Sequence, residues 1–170
     1  MAATYTPIAS ITLGADAASV TFSSIPQTYT DLILVSNSRS TRASNSGDNL
    51  FLRFNSDSGT NYSATTLEGN GSIAESTRFS SASAVYIRIP ASTATANVFS
   101  PSITHIMNYS NTTTNKSSIT RAQSVSESVN LIVGLWRNTT AITSINLSAN
   151  NGNLLSGSTF NLYGIQAGNA

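Results

Sequence analysis

The chain is expected to be all-β: an antiparallel β-sandwich, jelly-roll-like, folded as a single domain over residues 1–170. Three observations predict it. Short runs of alternating apolar and polar residues recur along the whole length, and period two is the mark of a half-buried strand. Those runs are rich in Ile, Val, Thr, Tyr and Phe and are separated by Ser, Asn, Gly and Pro, the punctuation of a sandwich or jelly roll. No stretch holds apolar residues at the three-and-four spacing of a long amphipathic helix.

The first strand is expected over Ile8 to Leu13, closed by the turn-like Gly14-Ala15-Asp16. The second spans Ser19 to Ile25, where Val20 and Phe22 share a face and Pro26 ends the run. Asp31 to Val35 is apolar on both faces, which predicts a central strand held between two layers. Leu50 to Phe54 sets Leu50, Leu52 and Phe54 against Phe51 and Arg53, and the polar stretches Ser36 to Asn49 and Asn55 to Ser63 read as loops. Val85, Ile87 and Ile89 alternate with Tyr86 and Arg88 until Pro90. Ala91 to Ala96 has room for one helical turn at most, and its Thr and Ser disfavour even that. Ile103 to Tyr109 and Ile119 to Val125 flank the Thr/Asn-rich tip Asn111 to Asn115, the pattern of a hairpin. Leu131 to Trp136 is a mostly apolar strand. Ile142 to Leu147 and Ser158 to Ile165 flank a loop containing Asn151-Gly152, a dipeptide suited to tight turns. A second half could begin anywhere from Ser63 to Ala84, yet neither half would have strands enough for its own sandwich.

Composition removes several classes of function. The hydrophobic share of 39% suits a folded chain, while the charged share is only 9%, against roughly a quarter in an ordinary domain. Ser, Thr and Asn fill the difference, so the surface is polar but nearly uncharged. Net charge is +1, from one Lys and seven scattered Arg set against seven acids, which offers no phosphate-binding patch for nucleic acid. There is no Cys, hence no disulfide, thiolate ligand or thiol nucleophile. No apolar run reaches the length of a membrane-spanning helix. Met1 to Pro7 lacks the basic and apolar regions of a signal peptide, so a role outside a cell implies release by lysis or within a particle.

Candidate chemistry is sparse. The single His, His105, sits on an alternating strand and reads as a side chain half-buried in a β surface. No Gly-x-Ser-x-Gly elbow presents a nucleophile. The carboxylates Asp16, Asp31, Asp48, Asp57, Glu68, Glu75 and Glu127 show no spacing that pairs them. The loop Asn55-Ser-Asp57-Ser-Gly59-Thr-Asn61 places oxygen ligands at alternate positions, as calcium loops do, but lacks the closing acidic residue and reads as a turn. Of the aromatics that could stack on a sugar, Trp136 follows an apolar strand and is assigned to core or interface packing. Arg39 and Arg42 lie in a long loop and could meet acidic groups of a neighbouring protein. The candidate assembly contacts are therefore Arg39, Arg42, Trp136 and Arg137. No catalytic, cofactor-binding or metal-binding residue is expected, and the protein is expected to bind or assemble rather than catalyse.

One resemblance runs nearly end to end. Its residues are Ile8-Ala-Ser-Ile-Thr-Leu13, Ser19-Val-Thr-Phe-Ser-Ser-Ile-Pro26 with Tyr29, and Asp31-Leu-Ile-Leu34. They continue with Leu50-Phe-Leu-Arg-Phe-Asn55, Asn61-Tyr62-Ser63, Gly134-Leu-Trp-Arg137, Ala141-Ile-Thr-Ser144 and Gly157-Ser-Thr-Phe-Asn-Leu-Tyr-Gly-Ile165. In these segments the chain resembles small virion structural proteins of tailed bacteriophages of aquatic bacteria, more loosely between Glu68 and Val125. The resemblance implies a jelly-roll-like sandwich on a phage particle, on the head or the tail. The missing heptads and repeats weigh against a fibrous stem. A decoration (cement) protein on the outer surface of the capsid is thus the expectation, with a glycan-recognising tail-tip or fibre knob second and a carbohydrate-binding module third. The expected partners are copies of the chain itself, as a trimer matched to local three-fold points of the shell, and the major capsid protein or other virion proteins. Nucleic acid and membrane are not expected partners. Leu131 to Trp136, or the loops Ser36 to Asn49 and Thr60 to Ser81, are expected to supply the contacts.

Overall fold

The computed structural model describes residues 4–124 and 128–166; Met1 to Ala3, Val125 and Glu127, named above, lie outside them. Twelve strands form, and the described residues contain no helix. They are β1 (Tyr5–Thr12), β2 (Ser19–Phe22), β3 (Asp31–Ser38), β4 (Gly47–Phe54), β5 (Tyr62–Gly69) and β6 (Ala74–Ala82). The rest are β7 (Val85–Pro90), β8 (Ser100–Met107), β9 (Lys116–Ser124), β10 (Ser128–Trp136), β11 (Ile145–Ala149) and β12 (Thr159–Ile165).

Eight of them make a jelly roll. β1-β12-β3-β8 lie side by side in one sheet and β2-β11-β4-β7 form the other, so the chain changes sheet at nearly every connection. Two strand pairs are inserted: β5 and β6 between β4 and β7, and β9 and β10 between β8 and β11. Both join the first sheet, widening it to eight strands in the order β1-β12-β3-β8-β9-β10-β5-β6. The small sheet stays at four strands, and β7 packs across β8, β9, β10 and β5. The two layers enclose one cluster that includes Leu32, Leu34, Leu50, Leu52, Phe54, Ile87, Ile89, Trp136, Leu147 and Phe160. They approach so closely at Gly134 that an added Cβ would lie 2.7 Å from Val85 Cγ2; any larger residue there must push β7 away.

The ten expected strands are all present, with ends shifted by a few residues, and β8 and β9 form the expected hairpin. Its tip is organised by Asn111 Oδ1, which accepts from the backbone N–H of Thr113 at 2.7 Å and of Thr114 at 2.9 Å. Three expectations need correction. Thr60 to Ser81 is no loop but is mostly the β5–β6 hairpin. Gly152 does turn the chain, at φ 76°, but β11 and β12 enter different sheets, so the segment crosses the sandwich instead of closing a hairpin. The two-faced apolar strand, now β3, has only one layer against it. Leu32 and Leu34 enter the core, while Ile33 and Val35 point to the far side of the large sheet, which no element among the described residues covers.

Candidate assembly surface

The central strands of the large sheet are built the wrong way round for an isolated sandwich. β8 turns Ser102 and Thr104 inward and Ile103 and His105 outward. β9 buries Ser118 and Thr120 while presenting Ile119 and Arg121, and β10 buries Asn130 while presenting Val129, Leu131 and Val133. Four of the inward hydroxyls pair across the strands, Ser36 Oγ with Ser102 Oγ at 2.6 Å and Thr104 Oγ1 with Thr120 Oγ1 at 2.8 Å, while those of Ser38, Ser118 and Ser124 have no partner. That arrangement leaves room for the bulky Val85, Ile87 and Ile89 of β7 opposite.

Register lines the outward residues into rows. Tyr163, Ile33, His105, Ile119, Val133 and Thr65 are successive cross-strand partners, and so are Val35, Ile103, Arg121, Leu131 and Leu67. Adjacent partners on one face touch, so these rows form a continuous apolar band across the sheet. Val129 is 62% exposed, Leu67 51% and Val133 50%. At the β1 side, Tyr5 and Tyr163 wall a trough of about 610 Å³ whose floor is Ile33, Val35, Ile103 and Ile119. Large contiguous apolar patches are rare on monomeric proteins and mark sites of association.

Charged side chains on this face are few, and they include Arg78, the β6 partner of Thr65 at the end of the first row. Arg121 lies within the band, and His105 Nε2 is 2.8 Å from Asp31 Oδ2, with Asp31 Oδ1 accepting from the backbone N–H of Asn108 at 2.7 Å. His105 is thus half-exposed in a β surface, as expected, but it is not isolated: a carboxylate holds its ring. No group of three or more His, Asp or Glu side chains gathers among the described residues in a way that would hold a metal.

The residues singled out from the sequence behave otherwise. Arg39 is 4% exposed and points inward, where its guanidinium donates to the carbonyls of Thr95, Val98, Ala91, Ser92 and Ala94. It folds the 91–98 segment around itself and cannot reach a neighbouring subunit. Trp136 is likewise internal, stacked on Tyr62 and tilted against Phe54, so of its two expected roles only core packing is open to it. Arg42 donates to Gly47 O and lies 3.7 Å from Asp48, at the rim of the sandwich. Arg137 is exposed, with its guanidinium engaged by the carbonyls of Thr60 and Tyr62. None of the four belongs to the apolar band. Of the expected contact regions, Leu131 to Trp136 does contribute to the band, through Leu131 and Val133.

The Asn55–Asn61 loop resolves as a turn built on Asp57. Asp57 Oδ1 accepts from Gly59 N at 2.8 Å, and Oδ2 accepts from Trp136 Nε1 at 2.7 Å and Asn61 Nδ2 at 2.9 Å. The Trp136 indole, with smaller help from Asn61 and Gly59 and against the opposing effect of burial, holds this carboxyl below the ordinary Asp value. A depressed folded-state pKa stabilises the fold above the unfolded value, and the stability is lost as pH falls through the folded one. Asp57→Asn is therefore expected to flatten the acid limb: its thermal midpoint should drop less than that of the parent between about pH 5 and pH 2. Equal slopes for the two proteins would contradict this role.

The sequence matches no family model and no curated protein.

Proposed function

We propose that the protein is a virion structural protein of a tailed bacteriophage, a cement protein that decorates the capsid as a homo-oligomer joined through the outer face of its large sheet. The observation that carries the assembly part is the apolar band on that face. Ile103, Ile119, Val129, Leu131 and Val133 face outward on β8, β9 and β10, while Ser102, Thr104, Ser118, Thr120 and Asn130 face inward beside the core residues Ile106, Ile132 and Trp136. A second copy of the chain fits this face for two reasons. Eight strands about 4.8 Å apart and some 25 Å long offer on the order of 850 Å², which a trimer divides between two neighbours, against the ~800 Å² that each partner contributes to a standard interface. Few charges lie on the face, so like copies meet with little repulsion. A trimer matches the local three-fold points of an icosahedral shell, and closed symmetry is the usual state of self-associating proteins. The phage setting rests on the resemblance of the strand and turn segments quoted above.

Copy number tests this reading. In purified particles the protein should be present at hundreds of copies, in proportion to the major capsid protein, and label should cover the head. A few copies confined to the tail would overturn decoration in favour of a tail-tip role.

A further inference from the structure

We infer that the crevice beneath the β5–β6 hairpin is a binding site for one neutral sugar ring. β6 is exposed at almost every position because the hairpin runs out past the edge of the small sheet. Between its inner side and edge strand β7 lies a crevice of about 240 Å³. That is smaller than the roughly 300–1,000 Å³ of pockets for drug-sized ligands and suits a single ring better than a longer oligosaccharide.

The lining matches a polyol with an apolar C–H face. Phe79 and Tyr86 stand edge to face, ring centroids 5.5 Å apart at 80°, beside the hydrogen-bonding side chains of Asn49, Glu68, Arg88 and Asn130. Phe79 is aimed here by a bulge: the β5–β6 register slips between Tyr62 and Ala64, and Ser81 takes φ 57°. Bulges commonly re-aim a side chain in this way, and a positive φ at a serine is strain that the surrounding structure must hold.

A second, independent feature points to the ligand's chemistry. Asn130 is 6% exposed; its Nδ2 donates to Ser128 Oγ at 3.0 Å, but its Oδ1 has no hydrogen-bond partner. It is one of five buried side-chain atoms without a partner among the described residues and the one that lines the crevice; a buried acceptor left without a donor is costly. A ligand that supplies donors satisfies it, which a sugar hydroxyl does and an ionised carboxylate does not. Glu68 and Arg88 offset each other, so the lining selects no charge. The crevice opens on the opposite side of the sheet from the apolar band, and it stays accessible when that band is covered. The inference therefore stands apart from the assembly reading.

The test is titration of the isotope-labelled protein with methyl pyranosides of glucose, galactose, mannose and N-acetylglucosamine, followed by nuclear magnetic resonance. At least one should shift the side-chain amides of Asn49 and Asn130 with a Kd of about 1–10 mM. Glu68→Gln, which preserves shape, and Tyr86→Ala should each weaken binding about tenfold or more with spectra unchanged elsewhere. Inorganic phosphate should shift nothing in the crevice. The inference is overturned if no sugar shifts these residues at up to about 50 mM, if the shifts lie elsewhere, if phosphate binds in their place, or if both variants bind like the parent.

Discussion

Trp136→Ala is expected to cost about 3–5 kcal/mol, the usual range for truncating a large buried aromatic. The ring is 1% exposed, 5.6 Å from Phe54 and 6.3 Å from Tyr62 between centroids. Its Nε1–H also occupies Asp57 Oδ2, so Ala leaves a carboxylate short of a donor as well as a cavity. Total stability of a domain is about 5–15 kcal/mol; the urea midpoint should fall by about a fifth or more. Trp136→Phe separates the two contributions. It keeps most of the packing and loses the donor, for about 1.5–3 kcal/mol, and it should let the Asp57 carboxyl rise toward its ordinary value. A Trp136→Ala midpoint within experimental error of the parent would remove this residue from the core account.

Arg39→Met should cost at least about 3 kcal/mol, because hydrogen bonds to a charged donor are worth roughly 1.5–3 kcal/mol each and five carbonyls lose theirs together. The acceptors lie between 2.7 and 3.4 Å from Nη1 or Nη2. Met retains the apolar stem, so the loss reports the guanidinium. Arg39→Lys should be nearly as damaging, since one ammonium cannot reproduce a planar fork with five donors. Amide exchange in residues 91–98 should accelerate before the rest of the sandwich opens. Arg137→Ala provides the contrast: the side chain is exposed, and about 1 kcal/mol or less is expected. Equal costs at the two positions would contradict the role given to Arg39.

The difference between those two arginines was not legible in the sequence. Arg39 stands in a polar stretch and Arg137 follows an apolar strand, and nothing in either pattern says that Arg39 turns inward while Arg137 stays at the surface. The strands were legible where one face is buried. Val85, Ile87 and Ile89 alternate with Tyr86 and Arg88 because β7 has a core side and a solvent side. β6 escaped because eight of its nine positions are exposed, so no alternation is imposed on it and Ser, Thr and Glu serve on both faces. The apolar band escaped for a subtler reason. Period two shows which residues share a face but not which face meets the core. Ile103 and Ile119 were therefore legible as strand residues while their outward direction was not. The one clue was Asp31 to Val35, apolar on both sides: it called for two covering layers, and the described residues supply one.

Sedimentation velocity of the parent protein and of Ile119→Asp, each at about 50 μM, tests the assembly claim most directly. Ile119 is 37% exposed in the middle of the band, so the substitution should leave the urea midpoint nearly unchanged while placing a charge where a second copy would sit. The parent is expected to sediment as an oligomer, a trimer having three times the 17.8 kDa of one chain, and Ile119→Asp as a folded monomer. A monomeric parent at that concentration, or a variant that assembles as the parent does, would contradict the proposal that copies of this protein join through the outer face of the large sheet.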